Sequence, residues 1–114
     1  MIELAKDLSI SVLMDFYGEL LTPKQLEALD SYYNQDLSLA EIASEMEVSR
    51  QGVRNFIKTG ELHLSEFEDK LNLAEKFTTI NKIVDKMAED IKNLPDGDTK
   101  NSLLSDIDRI KSQL

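Results

Sequence analysis

Five polar side chains near the middle of the chain are of the types that bind nucleic acids. They follow Ser49 in a run, Ser49 to Lys58, that contains no aspartate or glutamate. Guanidinium groups donate paired hydrogen bonds to guanine, carboxamides bind adenine in a similar way, and ammonium groups pair with phosphates. The run therefore predicts a nucleic-acid-binding surface made of Ser49, Arg50, Gln51, Arg54, Asn55 and Lys58.

The spacing of residues 38–58 predicts a helix-turn-helix that would present this surface. Ser38 and Glu41 form a capping box, in which the hydroxyl and the carboxylate each accept a hydrogen bond from a backbone N–H at a helix start. A first helix should therefore begin at Leu39, and Ala43 is small enough to let a second helix cross it closely.

A turn at Glu47 and Val48 is expected to separate the two helices, with Ser49 as the N-cap of the second. Such turns usually carry glycine where this chain has Glu47, and Gly52 costs the second helix about 1 kcal/mol relative to alanine. The alternative interpretation is an ordinary helical corner with a solvated polar face. The second helix is expected to bury Val53, Phe56 and Ile57.

Two further helices are predicted before the helix-turn-helix. Apolar residues recur at helical spacing from Leu4 to Leu20. Thr22 and Gln25 then form a second capping box, with Pro23 at the first helical position. The helix that starts there is expected to bury Leu26, Leu29, Tyr32 and Tyr33.

A long helix is predicted after the second helix of the motif. Thr59 and Gly60 are the expected break or C-cap, and no other strong stop signal occurs from Glu61 to Leu94. Apolar residues recur within this segment at alternating steps of four and three, which is the heptad pattern of helices that pack side by side. This heptad seam consists of Leu73, Phe77, Ile80, Val84, Met87, Ile91 and Leu94.

A turn at residues 95–98 precedes a short last helix, which could fold back on the heptad seam as an αα-hairpin. The last helix is too short to cover the whole seam, so a second copy of the chain is expected to cover the rest. The sequence therefore predicts a homodimer with the seven seam residues at its interface. The predicted fold is all-α and one compact unit, with a helical domain at 1–60 that contains the helix-turn-helix at 38–58, and a hairpin for dimerisation at 61–114.

The overall charge limits the kind of nucleic-acid contact that is possible. The net charge is −9 and the isoelectric point is near 4.5, which opposes non-specific attraction to phosphates. Residues 38–60 carry three bases, and all three lie in the predicted second helix. Nucleic-acid contact should therefore be local, and a protein partner with a basic surface is equally open.

Enzymatic chemistry is not expected. The chain has no cysteine, its single histidine, His63, has no candidate partner for metal binding, and no glycine-rich phosphate cradle is present. The expectation is therefore no catalytic residue, no cofactor and no metal. The start of the sequence carries acids and no long apolar core, so neither a signal peptide nor membrane insertion is expected, and a cytoplasmic location is favoured.

Five motifs together resemble the bacterial YlxM family. They are LLTPKQ at 20–25, YY at 32–33, DLSLAEIA at 36–43, VSRQGVRNFIK at 48–58 and EFEDKL at 66–71. The resemblance implies an all-α, dimeric protein whose helix-turn-helix is similar to the fourth region of sigma factors. It also implies a link to protein targeting, because genes of the family accompany those for the signal recognition particle protein Ffh and its receptor FtsY.

Two classes of function follow from these observations. The first is an accessory or regulatory factor that binds the signal recognition particle through its RNA, its GTPase Ffh or both. The second is a sequence-specific regulator that binds duplex DNA. The resemblance favours the first, and the residues from Ser49 to Lys58 would serve either.

Overall fold

The computed structural model describes residues 9–114, and this part of the chain contains six α-helices and no β-strand. The predicted all-α fold is confirmed. Two compact units are present, residues 9–74 and Glu75–Leu114. Of the predicted first helix, Leu4 and Leu8 lie outside the described residues. The helices are α1 (Ile10–Tyr17), α2 (Pro23–Leu29), α3 (Leu39–Met46), α4 (Arg50–Leu71), α5 (Leu73–Lys92) and α6 (Asp98–Gln113).

The predicted capping box at the start of α2 is present. The Gln25 backbone N–H donates to the Thr22 hydroxyl at 3.2 Å, and the Thr22 N–H donates to Gln25 Oε1 at 3.1 Å. The Gln25 side-chain amide also donates to Thr59 Oγ1 on α4 at 3.1 Å. One side chain therefore caps α2 and ties it to α4.

Tyr32 and Tyr33 were expected in the core, and that prediction is wrong. After Leu29 the chain continues as a π-helix, Asp30–Asn34, in which the Gln35 N–H donates to the carbonyl of residue 30. The wider π turn changes the direction in which successive side chains point, so α-helical spacing no longer applies. Tyr32 is 40% exposed and Tyr33 is 37% exposed.

The first unit has one hydrophobic core, to which α1 to α4 all contribute. Each large apolar side chain that is fully buried there contributes about 1.5–3 kcal/mol relative to an exposed position. The large aliphatic side chains with no exposed surface are Leu13, Leu29, Ile42, Val53 and Leu64.

Gly60 does not break a helix, contrary to the sequence prediction. Helix α4 runs without interruption from Arg50 to Leu71, and Gly60 is buried in its interior. A Cβ at this position would lie 2.6 Å from Leu29 Cδ1 and 3.6 Å from Gln25 Cβ. Position 60 therefore requires glycine because α2 packs closely against α4 at this point. In the sequence, a glycine needed for close packing has the same appearance as one that ends a helix.

The long helix predicted from Glu61 to Leu94 is instead interrupted at Asn72, which follows the last residue of α4 and has φ 56° and ψ 30°. Asparagine tolerates this left-handed conformation better than most residues, and it commonly follows the last helical residue. The corner is held by a buried pair: the Tyr17 hydroxyl donates to Glu68 Oε1 at 2.5 Å and accepts from the Leu73 N–H at 3.0 Å. The Ala74 N–H donates to the same Glu68 oxygen at 3.1 Å.

The second unit is the expected αα-hairpin of α5 and α6. Val84 and Ile91 of the heptad seam are buried against Ile107 of α6, with Ala88, Leu103 and Leu104 around them. An ion pair joins the two helices, with Lys111 Nζ 2.8 Å from Asp85 Oδ1. The rest of the heptad seam is not covered in this way: Phe77 is half-buried, and between 42% and 46% of the surface is exposed at Leu73, Ile80, Met87 and Leu94.

Candidate nucleic-acid interface

Helices α3 and α4 form the helix-turn-helix, and its first helix starts where the sequence predicted. The Glu41 N–H donates to the Ser38 hydroxyl at 3.1 Å, and the Ser38 N–H donates to Glu41 Oε1 at 2.9 Å. The hydrogen bond from the Ser38 backbone lowers the pKa of the Glu41 carboxyl. The capping box is therefore complete, and it fixes the direction in which α3 begins.

The turn between α3 and α4 depends on a left-handed residue. Glu47 has φ 58° and ψ 44°, which is the conformation that explains why glycine is common at this place in such turns. A non-glycine residue held there is disfavoured by about 1 kcal/mol. The Val48 N–H then donates to the Ala43 carbonyl at 3.1 Å, and the Val48 side chain packs on the core.

Ser49 acts as the N-cap of α4, as predicted. Its hydroxyl oxygen accepts a hydrogen bond from the Gly52 N–H at 2.9 Å, so its first role is to start the helix. A Cβ at Gly52 would lie 3.3 Å from that oxygen and 3.6 Å from Val48 Cβ. Because Gly52 has no side chain, the first turn of α4 can lie close to Val48 and Ser49 in the turn between α3 and α4.

The five predicted binding residues after Ser49 all lie on the first turns of α4 and are exposed. The opposite face of these turns is anchored by Val53 and Ile57 in the core. From Arg50 to Lys58 the helix rises about 12 Å, which is close to the width of the major groove of B-DNA. Within residues 9–114, none of the three cations Arg50, Arg54 and Lys58 forms an ion pair with a carboxylate.

Because α4 continues past Gly60, its exposed face extends over residues 61–71. The sequence prediction had assigned these residues to a separate helix. At 100° per residue, Leu62, Glu66 and Asp69 extend the line of Asn55 and Lys58, and all three are exposed. One helix therefore carries cations toward its N-terminus and carboxylates toward its C-terminus. The spacing was visible in the sequence, but only if Gly60 was taken as helical.

Other kinds of site are not apparent in the part of the chain that the structure describes. No group of three histidine or acidic side chains there is placed to hold a metal ion. His63 is exposed, and its ring centroid lies 6.5 Å from that of Phe67. None of the six helices is both long enough and apolar enough to span a membrane.

The capped α3, the left-handed turn and the anchored α4 define a helix-turn-helix protein. Residues 4–105 match the model of the UPF0122 family, described as "Putative helix-turn-helix protein, YlxM / p13 like". The chain belongs to this family, as its motifs predicted.

Individual relatives agree with the family match. The chain is 40% identical to a UPF0122 protein of Clostridium novyi over 94% of its own length and 93% of that protein. It is 41% identical to a UPF0122 protein of Shouchella clausii over 94% of its own length and 98% of that protein. A UPF0122 protein of Clostridium kluyveri is 58% identical, but there the match spans 59% of this chain and 60% of the relative.

Proposed function

We propose that this protein is a non-enzymatic accessory or regulatory factor of the signal recognition particle pathway in the cytoplasm, and that it works by binding. The observation that carries the proposal is the exposed face of α4 from Arg50 to Lys58, whose cations have no carboxylate partner in the described residues. Such a face suits phosphates and base edges.

The choice of the signal recognition particle rests on the YlxM resemblance and on charge. A protein of net charge −9 attracts nucleic acid only locally, whereas its carboxylates suit a partner with a basic protein surface. A particle made of RNA and a GTPase, Ffh, offers both. The exposed carboxylates Glu66, Asp69 and Glu75 are proposed to face the GTPase, whereas Glu68 is buried and does not belong to this set.

The second candidate function is a sequence-specific regulator that binds duplex DNA. It is favoured by the helix-turn-helix, because the start of the second helix in that motif enters the major groove. The two functions use the same side chains, so the identity of the partner has to be measured.

The test is to titrate the full chain against the assembled particle, its RNA alone, Ffh alone and a mixed pool of duplex DNA. We expect binding to the particle and its RNA, weakened at least about tenfold by the combined Arg50→Ala and Arg54→Ala change, since each cation contact is worth about 1 kcal/mol or more. The affinity of the variant should also fall less steeply with salt concentration, because its binding releases fewer counterions.

The matched control is the combined Lys76→Ala and Lys82→Ala change, which removes the same charge from exposed positions of α5. It should leave affinity within about twofold if the contact is local. Equal losses in both variants would contradict the assigned face. Tight binding to one duplex DNA, with none to the particle or its parts, would replace the proposal with the DNA-binding regulator.

We also propose that the protein is a homodimer that associates through the exposed part of the heptad seam. Exposed apolar side chains recur along one stripe of α5, at the seam residues Ile80 and Met87 and at the neighbouring Ile83, and the exposed seam residue Leu94 follows the end of the helix. An apolar stripe of this length is characteristic of a helix–helix interface.

Sedimentation should show a dimer at micromolar concentration, which Met87→Asp weakens at least about tenfold by placing an unpaired carboxylate in the interface. Val84 is unsuitable for this test because it is buried within the hairpin, and a charge there would unfold the unit. The control is Asn93→Asp, which adds the same charge at an exposed position after α5. A monomer at micromolar concentration, or equal effects of the two changes, would contradict the dimer proposal.

A further inference from the structure

Two aromatic rings are displayed on the surface of the first unit by the π-helix Asp30–Asn34. Tyr32 and Tyr33 pack edge to face, with ring centroids 5.1 Å apart and an interplanar angle of 88°. The Tyr33 hydroxyl donates a hydrogen bond to Glu61 on α4, which orients that ring. The Tyr32 hydroxyl has no hydrogen-bond partner among the described residues.

The segment that carries these rings is held in place by local hydrogen bonds. Asn34 Nδ2 and Gln35 Nε2 donate to the two oxygens of the Asp30 carboxylate at 2.7 Å and 3.0 Å. The Ser11 hydroxyl on α1 donates to Asn34 Oδ1 at 2.6 Å. The rings are therefore presented by an ordered element, and a partner would find them already positioned.

The chain segment that carries the rings has charged side chains of one sign only. No base occurs anywhere in residues 25–49, and in the described structure no carboxylate of this segment forms an ion pair. Two of these acids flank the rings in sequence, at Asp30 and Asp36. The full set is Glu27, Asp30, Asp36, Glu41, Glu45 and Glu47.

We propose that the aromatic-acidic face, defined as Asp30, Tyr32, Tyr33, Asp36 and Glu61, docks a cationic protein segment anchored by arginine. A guanidinium group can stack on an exposed tyrosine ring and donate paired hydrogen bonds to a neighbouring carboxylate. Nucleic acid is the less suitable occupant, because its phosphates would meet carboxylates that no base neutralises. The face shares no residue with the proposed nucleic-acid surface, so this inference goes beyond the proposed function and does not depend on it.

The experiment titrates the full chain with three short labelled peptides that are identical except for arginine, lysine or glutamate at every second position. The protein has no tryptophan and three tyrosines, two of them in this face, so tyrosine emission reports docking directly. We expect the arginine peptide to bind most tightly and the glutamate peptide not to bind. Tyr32→Leu, which keeps the apolar bulk but removes the ring, should weaken arginine-peptide binding about threefold to tenfold, whereas Tyr32→Phe should leave it within about twofold.

A second variant tests the charge without touching the rings. Glu61→Gln retains an oxygen that can accept from the Tyr33 hydroxyl but removes one negative charge, so it should weaken binding and reduce its salt dependence. Its control is Glu89→Gln, the same charge change on α5, which should have no effect.

Three results would overturn the inference. They are no binding of the arginine peptide to the unmodified protein, equal binding of the glutamate peptide, or unchanged binding after both Tyr32→Leu and Glu61→Gln. A single-stranded RNA oligomer completes the test. Loss of its affinity on Tyr32→Leu, without loss of peptide affinity, would assign the face to base stacking instead.

Discussion

Replacing Glu68 with alanine is expected to lower the free energy of unfolding by about 3 kcal/mol, because the change leaves buried partners without a hydrogen bond. Glu68 is 1% exposed, and one of its oxygens accepts from both the Tyr17 hydroxyl and the Ala74 N–H. Urea unfolding followed by circular dichroism measures the loss. Glu66→Ala is the control two residues earlier in α4, where the carboxylate is exposed and the expected change is within about 0.5 kcal/mol.

Tyr17→Phe tests the same pair from the other side. It removes the hydroxyl that donates to Glu68 and accepts from the Leu73 N–H, so the double variant with Glu68→Ala should lose less than the sum of the single variants. Additive losses would contradict a coupled pair.

The pair also has a pH signature. Burial, followed by the hydrogen bond to Glu68, raises the pKa of Tyr17, so the folded state holds the phenol proton more tightly than the unfolded state does. The stability that this tighter proton binding adds to the folded state is fully present below pH about 10, where unfolded tyrosine is neutral. It is lost as the pH rises toward the folded pKa. The decline in stability above that pH should therefore be shallower in Tyr17→Phe.

Gly60→Ala is expected to destabilise the protein by about 2 kcal/mol, although alanine is the better helix former by about 1 kcal/mol at an exposed site. The added Cβ would lie 2.6 Å from a terminal carbon of Leu29, and that side chain is fully buried with little room to move. Thermal unfolding of the purified variant is the measurement.

Gly52→Ala is the matched control, because it makes the same substitution earlier in the same helix. There the nearest atom to the new Cβ is Ser49 Oγ at 3.3 Å, a much milder contact, and Ser49 is exposed. We expect this variant to be unchanged or stabilised by up to about 1 kcal/mol. A rise in melting temperature for Gly60→Ala as well would show that α2 and α4 do not approach as closely as described.

The parts of the fold that sequence reasoning predicted well are those decided by neighbours in the chain. Both capping boxes, at Thr22 and Ser38, join groups three residues apart, so the residue types alone identify them. The N-cap at Ser49 is equally local, and so is the exposed face of α4 that follows it. The candidate nucleic-acid surface could therefore be located before the structure was known.

The errors come from contacts between distant residues. Gly60 is explained by Leu29, and the corner at Asn72 is stabilised by Tyr17 together with Glu68, which are 51 positions apart. Nothing in a local pattern separates a glycine that ends a helix from one that lets another helix approach. The exposure of the tyrosine pair had a different cause, since a π turn breaks the spacing on which burial was predicted.

The uninterrupted course of α4 also determines how a partner would be bound. The helix is fixed to the core along its length, through buried Val53, Ile57, Gly60, Leu64 and Glu68, so the backbone of Arg50 to Lys58 is ordered before any partner arrives. Association would then restrict mainly side-chain rotamers, with a free-energy cost of about 0.5–1.5 kcal/mol for each long side chain. No folding step would slow the association rate. Binding should therefore be fast, with differences in affinity among partners expressed mainly in how long each complex lasts.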